Sequence, residues 1–209
     1  GKLNENGYNS IISFNRKDTS VHEIQIIDLK CQDWNILKDK YHSFSQGIRM
    51  INCNQKNVWE GQRPLGIMIE NHKAARPQSG LSEADIVYEA VAEGGITRFL
   101  AIFYCKNAPY VGPVRSARIY FVKFLEGYGK NPLYAHVGGA NTDGPADALG
   151  YISELGWSSY NDLNQFSVPF PYFWRDYERL KNVATEHTVY TSIKKLWQYA
   201  KDKRSLTNV

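Results

Sequence analysis

The sequence has few of the features that usually reveal a function. Its 209 residues contain 3 cysteines, and no two of them have CxxC spacing, so neither a disulfide framework nor a zinc site is indicated and core positions are the simplest prediction for them. The 25 basic and 21 acidic side chains nearly balance, and no basic tail is present, so nucleic acid is not an expected partner. No apolar run approaches the roughly 20 residues of a membrane-spanning helix.

The common catalytic and cofactor motifs are also absent. There is no HExxH, GxSxG, P-loop or GxGxxG pattern, which makes an enzyme a weaker prediction without excluding it. Asn141, Asp143 and Asp147 form an oxygen-rich cluster, but their spacing misses the EF-hand pattern and its closing glutamate. The sequence therefore predicts no metal site and no cofactor.

Aromatic residues are abundant instead, and they favour a folded chain. The 14 tyrosines, 9 phenylalanines and 5 tryptophans are too many large side chains for a disordered protein. Residues 1–60 predict a small strand, helix, strand segment of unknown role, whose first strand covers residues 22–29. A polar stretch at residues 54–62 is typical of a linker. We therefore expect a boundary near residue 60 and a second domain over residues 61–209.

The second domain has the pattern of an α/β protein. PLGIMIE predicts a buried strand ending at Glu70, and the runs ADIVYEAVAE and ITRFLAIFY predict a β-hairpin that turns at Gly94 and Gly95 with positive φ. A helical pattern, the short strand PLYAHV and two further helical patterns follow. Such alternation predicts a mixed sheet with helices packed on it.

The stretch VGPVRSAR, residues 111–118, predicts the start of a helix. Gly112 and Pro113 fit the cap and the first helical position, and the apolar run that follows would continue the helix to about Gly127. Arg115 and Arg118 would then lie in the first turn, where the free N–H groups disfavour a cation by about 0.3 to 1 kcal/mol. An anion near these arginines is the expected compensation.

Charged and polar residues collect at the ends of the predicted elements, where α/β sheets usually hold ligands. Arginine suits a carboxylate or phosphate because its planar fork donates two parallel hydrogen bonds. Equally, the arginines could form internal salt bridges with Glu70, Asp85 or Glu89, and the histidine could be a satisfied core residue. The candidate ligand-binding residues are Glu70, Asn71, Arg76, Arg98, Arg115, Arg118 and His136.

Three long motifs resemble a known family. RPLGIMIENHKAARPQSGLSEADIVYEAVAEGGITRFLAIFY, VGPVRSARIYF and YAHVGG are similar to the amino-terminal domain of the YerB-like bacterial lipoproteins, a family of unknown function, over residues 63–203. The resemblance implies an extracytoplasmic, lipid-anchored envelope protein whose α/β domain is followed by a smaller second domain. The first 60 residues show no lipobox-bearing signal, and the sequence stops where the smaller domain that the resemblance implies is expected to begin. Contact with a membrane is expected only through a lipid anchor that this chain does not carry.

Three hypotheses follow for the function. In the first, the domain binds or scaffolds at the outer face of the cytoplasmic membrane, and its partner is an anionic envelope ligand or an envelope protein held by an arginine-lined cleft. In the second, it hydrolyses an envelope polymer with Glu70 or His136 as general base. In the third, the charged residues only neutralise one another and hold the fold together.

Overall fold

Six strands form one mixed sheet in the computed structural model, which describes residues 25–26 and 62–206. The order across the sheet is β1, β3, β4, β2, β5, β6; β5 runs parallel to β2 and to β6, and the other neighbours are antiparallel. The prediction of an α/β fold with a mixed sheet is confirmed. The strands are β1 (Gln25–Ile26), β2 (Leu65–Glu70), β3 (Ile86–Glu93), β4 (Ile96–Phe103), β5 (Leu133–His136) and β6 (Asp162–Asn164).

The predicted hairpin is confirmed in detail. β3 and β4 pair antiparallel along their lengths, and the connection is Gly94 and Gly95 with φ of 59° and 75°. Two consecutive residues with positive φ form the tight turn that matches the twist of antiparallel strands, and glycine adopts this conformation without steric cost. The register shifts between Val91 and Glu93, so the last residue of β3 is displaced from a regular ladder.

Each face of the sheet is covered by its own layer, because the strands are apolar on both sides. One face packs against α1 (Ile119–Glu126) and α2 (Ala148–Glu154). The other packs against α3 (Ile193–Arg204) and a two-stranded sheet of β7 (Phe173–Arg175) and β8 (Val189–Thr191). Among the described residues, the sheet is thus the middle of three layers.

The stretch predicted to open a helix is extended, so that prediction is wrong. β5 pairs with only the first three residues of β2, and residues 113–117 then lie between the two strands. The amide of Arg115 donates to the carbonyl of Met68 at 2.9 Å, and the carbonyl of Arg115 accepts from the amide of Val137 at 3.0 Å. These pairings with distant strands satisfy the backbone better than an isolated helical turn does. Helix α1 begins only after Arg118.

Close packing at Gly112 fixes the same segment on its other side. Its amide and carbonyl exchange hydrogen bonds with Ser79 at 3.1 and 2.8 Å. A Cβ at this position would lie 2.8 Å from the carbonyl oxygen of Val189 and 2.8 Å from the ring of Tyr190. Glycine is therefore required here by the approach of β8 rather than by a helix cap.

Three further observations concern the remaining predictions. The predicted segment 1–60 lies outside the described residues except for β1, so its strand, helix, strand pattern and the boundary near residue 60 remain predictions. Cys105 takes part in a disulfide bond, although the odd number and the spacing of the cysteines indicated no disulfide framework. No helix within the described part of the chain is long and apolar enough to cross a membrane.

Candidate functional site

Two arginines hold one carboxylate at the end of the β3–β4 hairpin. Arg98 donates to Oε2 of Glu93 at 3.1 Å, and Arg118 donates to Oε1 through Nε at 2.5 Å and through a second contact from a terminal nitrogen. The opposite end of each guanidinium is fixed by the backbone, since Arg98 donates to the carbonyl of Ser116 at 3.1 Å and Arg118 to that of Ala117 at 2.6 Å. The two forks are therefore held towards a single anionic group.

These side chains differ in exposure. The Arg98 and Arg118 side chains are 7% and 15% exposed, whereas that of Glu93 is 59% exposed. The two guanidinium side chains are thus largely buried, whereas the carboxylate side chain is largely exposed to solvent. Because exposed ion pairs contribute only about 0 to 1 kcal/mol, the contact with Glu93 is a weak one despite its geometry.

The electrostatics link a third arginine to this pair. Burial lowers the pKa of Arg98, the nearby charges of Arg118 and Arg115 lower it further, and Glu93 and Glu70 act in the opposite direction. Partial burial raises the pKa of Glu93, but the hydrogen bond from Arg118 and the charges of the three arginines outweigh it, so the net pKa is lowered. Arg98, Arg115 and Arg118, which we call the arginine cluster, thus form one region of positive charge.

Arg115 belongs to a more buried group at the end of β2. Its Nε lies 2.8 Å from Oε2 of Glu70, an ionic contact whose N–H is not aligned as a hydrogen bond, and a terminal nitrogen lies 3.6 Å from Glu186. The same Glu70 oxygen is 2.8 Å from Nδ1 of His187. The ring of His187 stacks on that of His72, with centroids 5.3 Å apart and planes 4° apart. Glu70 is thus a buried carboxylate shared by a guanidinium and an imidazole.

Asn71 and Arg76 lie beside this group in a network that fixes a loop. Arg76 donates to the side-chain oxygen of Asn71 at 3.1 Å and to its carbonyl at 3.2 Å. Gln78 donates to the same side-chain oxygen and to the Glu70 carbonyl, while the Asn71 amide donates to Glu89 at 2.9 Å. The expected partner Glu89 is therefore used by Asn71, and Asp85 accepts from backbone amides rather than from an arginine.

His136 is separated from these groups by its burial. It is 0% exposed, its Nε2 lies 2.5 Å from Oδ1 of Asp162, and its Nδ1 lies 2.7 Å from the carbonyl of Gly138. The neighbouring glycines are approached by protein: a Cβ on Gly138 would meet the ring of Phe166 at 3.0 Å. Both ring nitrogens are occupied, which is the arrangement of a satisfied core histidine.

The structure thus brings four of the seven candidates together, at Glu70, Arg98, Arg115 and Arg118, with Asn71 and Arg76 adjoining them. The sequence did not connect Glu93 or His187 with the candidate residues. Glu93 could have been found from the hairpin, because the turn at the two glycines returns the chain directly towards Arg98. His187 lies 117 positions from Glu70, and no local pattern connects them.

Comparison with known proteins gives the family. Residues 52–206 match the model described as "Protein of unknown function (DUF3048) N-terminal domain". The chain belongs to this family. The match covers all of β2–β8 and α1–α3.

A protein from Bacillus subtilis (strain 168), named "Putative lipoprotein YerB", is 38% identical over 162 residues, covering 76% of this chain and 48% of the relative, which confirms the predicted resemblance to the YerB-like lipoproteins. The crystal structure of the B. subtilis YerB protein matches with a TM-score of 0.60 and 36% identity over 76% of this chain and 51% of that one. The chain therefore spans about half the length of its relatives, and their family description assigns no function to the site.

Proposed function

We propose that this domain binds an anionic group of the cell envelope through the arginine cluster, and that it acts as a binding or scaffold domain outside the cytoplasm. The observation that carries this proposal is the clamp of Arg98 and Arg118 around one exposed carboxylate, with Arg115 adjacent. Backbone carbonyls fix both guanidiniums, so an incoming anion would meet donors already in place. Such preorganisation lowers the entropic cost of binding.

Two observations support a location outside the cytoplasm. The B. subtilis relative is named as a lipoprotein, and lipoproteins are held at the surface of a membrane by a lipid. Cys105 takes part in a disulfide bond, and disulfides persist in oxidising compartments. Together they favour the outer face of the cytoplasmic membrane, where wall polymers and envelope proteins offer carboxylates and phosphates.

The test is a thermal-shift screen of the purified chain against muropeptides, wall teichoic acid fragments, phosphate, sulfate and citrate. A ligand of the folded state raises the melting temperature progressively with its concentration. The variant Arg98→Lys, Arg118→Lys keeps both charges but loses the forks, so the shift should largely disappear. Arg175→Lys is the matched control, because Arg175 is exposed and donates to a backbone carbonyl elsewhere. Equal shifts in all three proteins would contradict the proposal.

The alternative is hydrolysis of an envelope polymer. For this activity, the pair of Glu70 and His187 is a better candidate general base than His136. A buried carboxylate that fixes Nδ1 of a histidine leaves Nε2 to accept a proton from water, with Arg115 near any developing negative charge. Release of products from muropeptides by the wild type, and loss of that release in His187→Gln, would establish this activity. No products with either protein would exclude it for these substrates.

A further inference from the structure

The contact between the hairpin end and the arginine cluster carries a more specific inference about the ligand. The two oxygens of Glu93 are divided between two guanidiniums, Oε2 with Arg98 and Oε1 with Arg118. Each arginine donates to one edge of a planar, two-oxygen anion while its far end stays on the backbone. The positions of the two guanidiniums around the Glu93 carboxylate therefore match those needed to bind the carboxylate of a ligand.

Apart from the two arginines, little in the described structure surrounds the Glu93 side chain. Its side chain is 59% exposed, it ends β3 beyond a register shift, and it is followed by the glycine turn. A Cβ at Gly94 or Gly95 would meet no atom of the described residues within 4 Å, so those residues leave room around the hairpin end. Rotation of the Glu93 side chain would place its carboxylate in water and leave both guanidiniums held by Ser116 and Ala117.

We propose that the ligand of the arginine cluster presents a carboxylate, which takes the place of the Glu93 side chain between Arg98 and Arg118. This rests on the proposed function and narrows it to one chemical class. Glu93 then acts as an internal competitor that keeps the cluster neutralised when no ligand is bound. A peptide carboxyl terminus and an acidic side chain of a partner share this chemistry.

The lowered pKa of Glu93 agrees with this role, because Glu93 remains a charged competitor in mildly acidic solution as well as at neutral pH. A competitor that occupies the site about nine-tenths of the time weakens the apparent affinity of a ligand about tenfold. Removing the charge of Glu93 should therefore strengthen the binding of a carboxylate ligand. A purely structural ion pair would give the opposite result or none.

The experiment measures the binding of N-acetylglycine, its neutral analogue N-acetylglycinamide and inorganic phosphate by calorimetry. The proteins are the wild type, Glu93→Gln, and Glu178→Gln, which makes the same change at a side chain that is 88% exposed and pairs only loosely with Lys181. We expect Glu93→Gln to bind N-acetylglycine about tenfold more tightly than the other two, with no binding of the amide. Equal or weaker binding by Glu93→Gln, or a larger gain for phosphate than for N-acetylglycine, would overturn the inference.

A second measurement does not depend on the folding of a variant. In the wild type labelled with ¹³C at glutamate carboxyls, addition of N-acetylglycine should move the Glu93 signal towards that of an exposed glutamate. An unmoved signal at saturating ligand would overturn the inference. If envelope anions bind the wild type and fail with Arg98→Lys, Arg118→Lys while Glu93→Gln changes nothing, the inference fails and the proposed function stands. If no anion binds any of these proteins, both fail.

Discussion

The arginines of the cluster are predicted to differ sharply in what they contribute to stability. Replacing Arg115 by glutamine leaves the carboxylate of Glu70, whose side chain is 6% exposed, without a guanidinium and with only its contact to the ring of His187 among the described residues. Breaking a buried ion pair in this way costs about 3 to 5 kcal/mol of unfolding free energy. Because the Arg115 Nε–H is not aligned as a hydrogen bond, we expect a loss at the lower end of this range, about 3 kcal/mol. Replacing Arg118 by glutamine breaks a pair with a mostly exposed carboxylate, and the expected loss is at most about 1 kcal/mol.

Urea unfolding followed by circular dichroism at pH 7 measures both losses of unfolding free energy, and a thermal scan measures the matching change in melting temperature. For a chain of this size the melting temperature should fall by about 6 to 12 °C in Arg115→Gln and by less than about 4 °C in Arg118→Gln. Adding Glu70→Gln to Arg115→Gln removes the buried charge that lost its guanidinium and should restore part of the loss. Equal losses in the two single variants, or no recovery in the double variant, would refute the larger contribution to stability assigned to Arg115.

Four further predictions concern single residues. The stability contributed by Glu93 should be present above the ordinary pKa of 4.5 and be lost as the pH falls through its lowered pKa, so the melting temperatures of the wild type and Glu93→Gln should converge in acid. Gly95→Ala should cost about 1 to 2 kcal/mol from its positive φ alone, and Gly112→Ala more, because its Cβ would meet a backbone oxygen at 2.8 Å; chemical denaturation compares them. His136→Ala should lower the free energy of unfolding by about 1 to 3 kcal/mol by leaving a buried carboxylate unpaired, with anion affinity unchanged in calorimetry. Cys105 should resist alkylation until the protein is reduced, which peptide mass spectrometry detects.

Local pattern predicted the elements whose cause is local. β2, β5 and the hairpin follow from runs of β-branched and aromatic residues and from two glycines that adopt positive φ. Residues 111–118 carry a helix signal in Gly112 and Pro113, but the backbone partners of this stretch come from β2, β5 and β8. Backbone pairing with distant strands cannot be predicted from neighbouring residues, so the predicted helix begins several residues before the observed one.

The site was predictable to the same degree. Strand ends and arginines indicated where charge collects, and Arg98, Arg115 and Arg118 are indeed neighbours. Their partners were harder to predict, because Glu93 is set by the register of the hairpin and His187 by the packing of a distant loop. His136 is a residue type that often belongs to functional sites, and it lies beside two glycines in the sequence. Only its two hydrogen bonds and its complete burial identify it as part of the core.

The position of residues 113–117 between two parallel strands has a consequence for the growing chain. Before these residues are synthesised, β2 pairs with β4 on one side only, and its other side presents free N–H and C=O groups. The Glu70 amide is later satisfied by the carbonyl of Pro113, a residue that offers no N–H of its own. An uncovered strand edge is prone to pair with another molecule, so a nascent or truncated chain ending before Pro113 is expected to aggregate. The stretch that carries Arg115 therefore also covers the end of this strand edge.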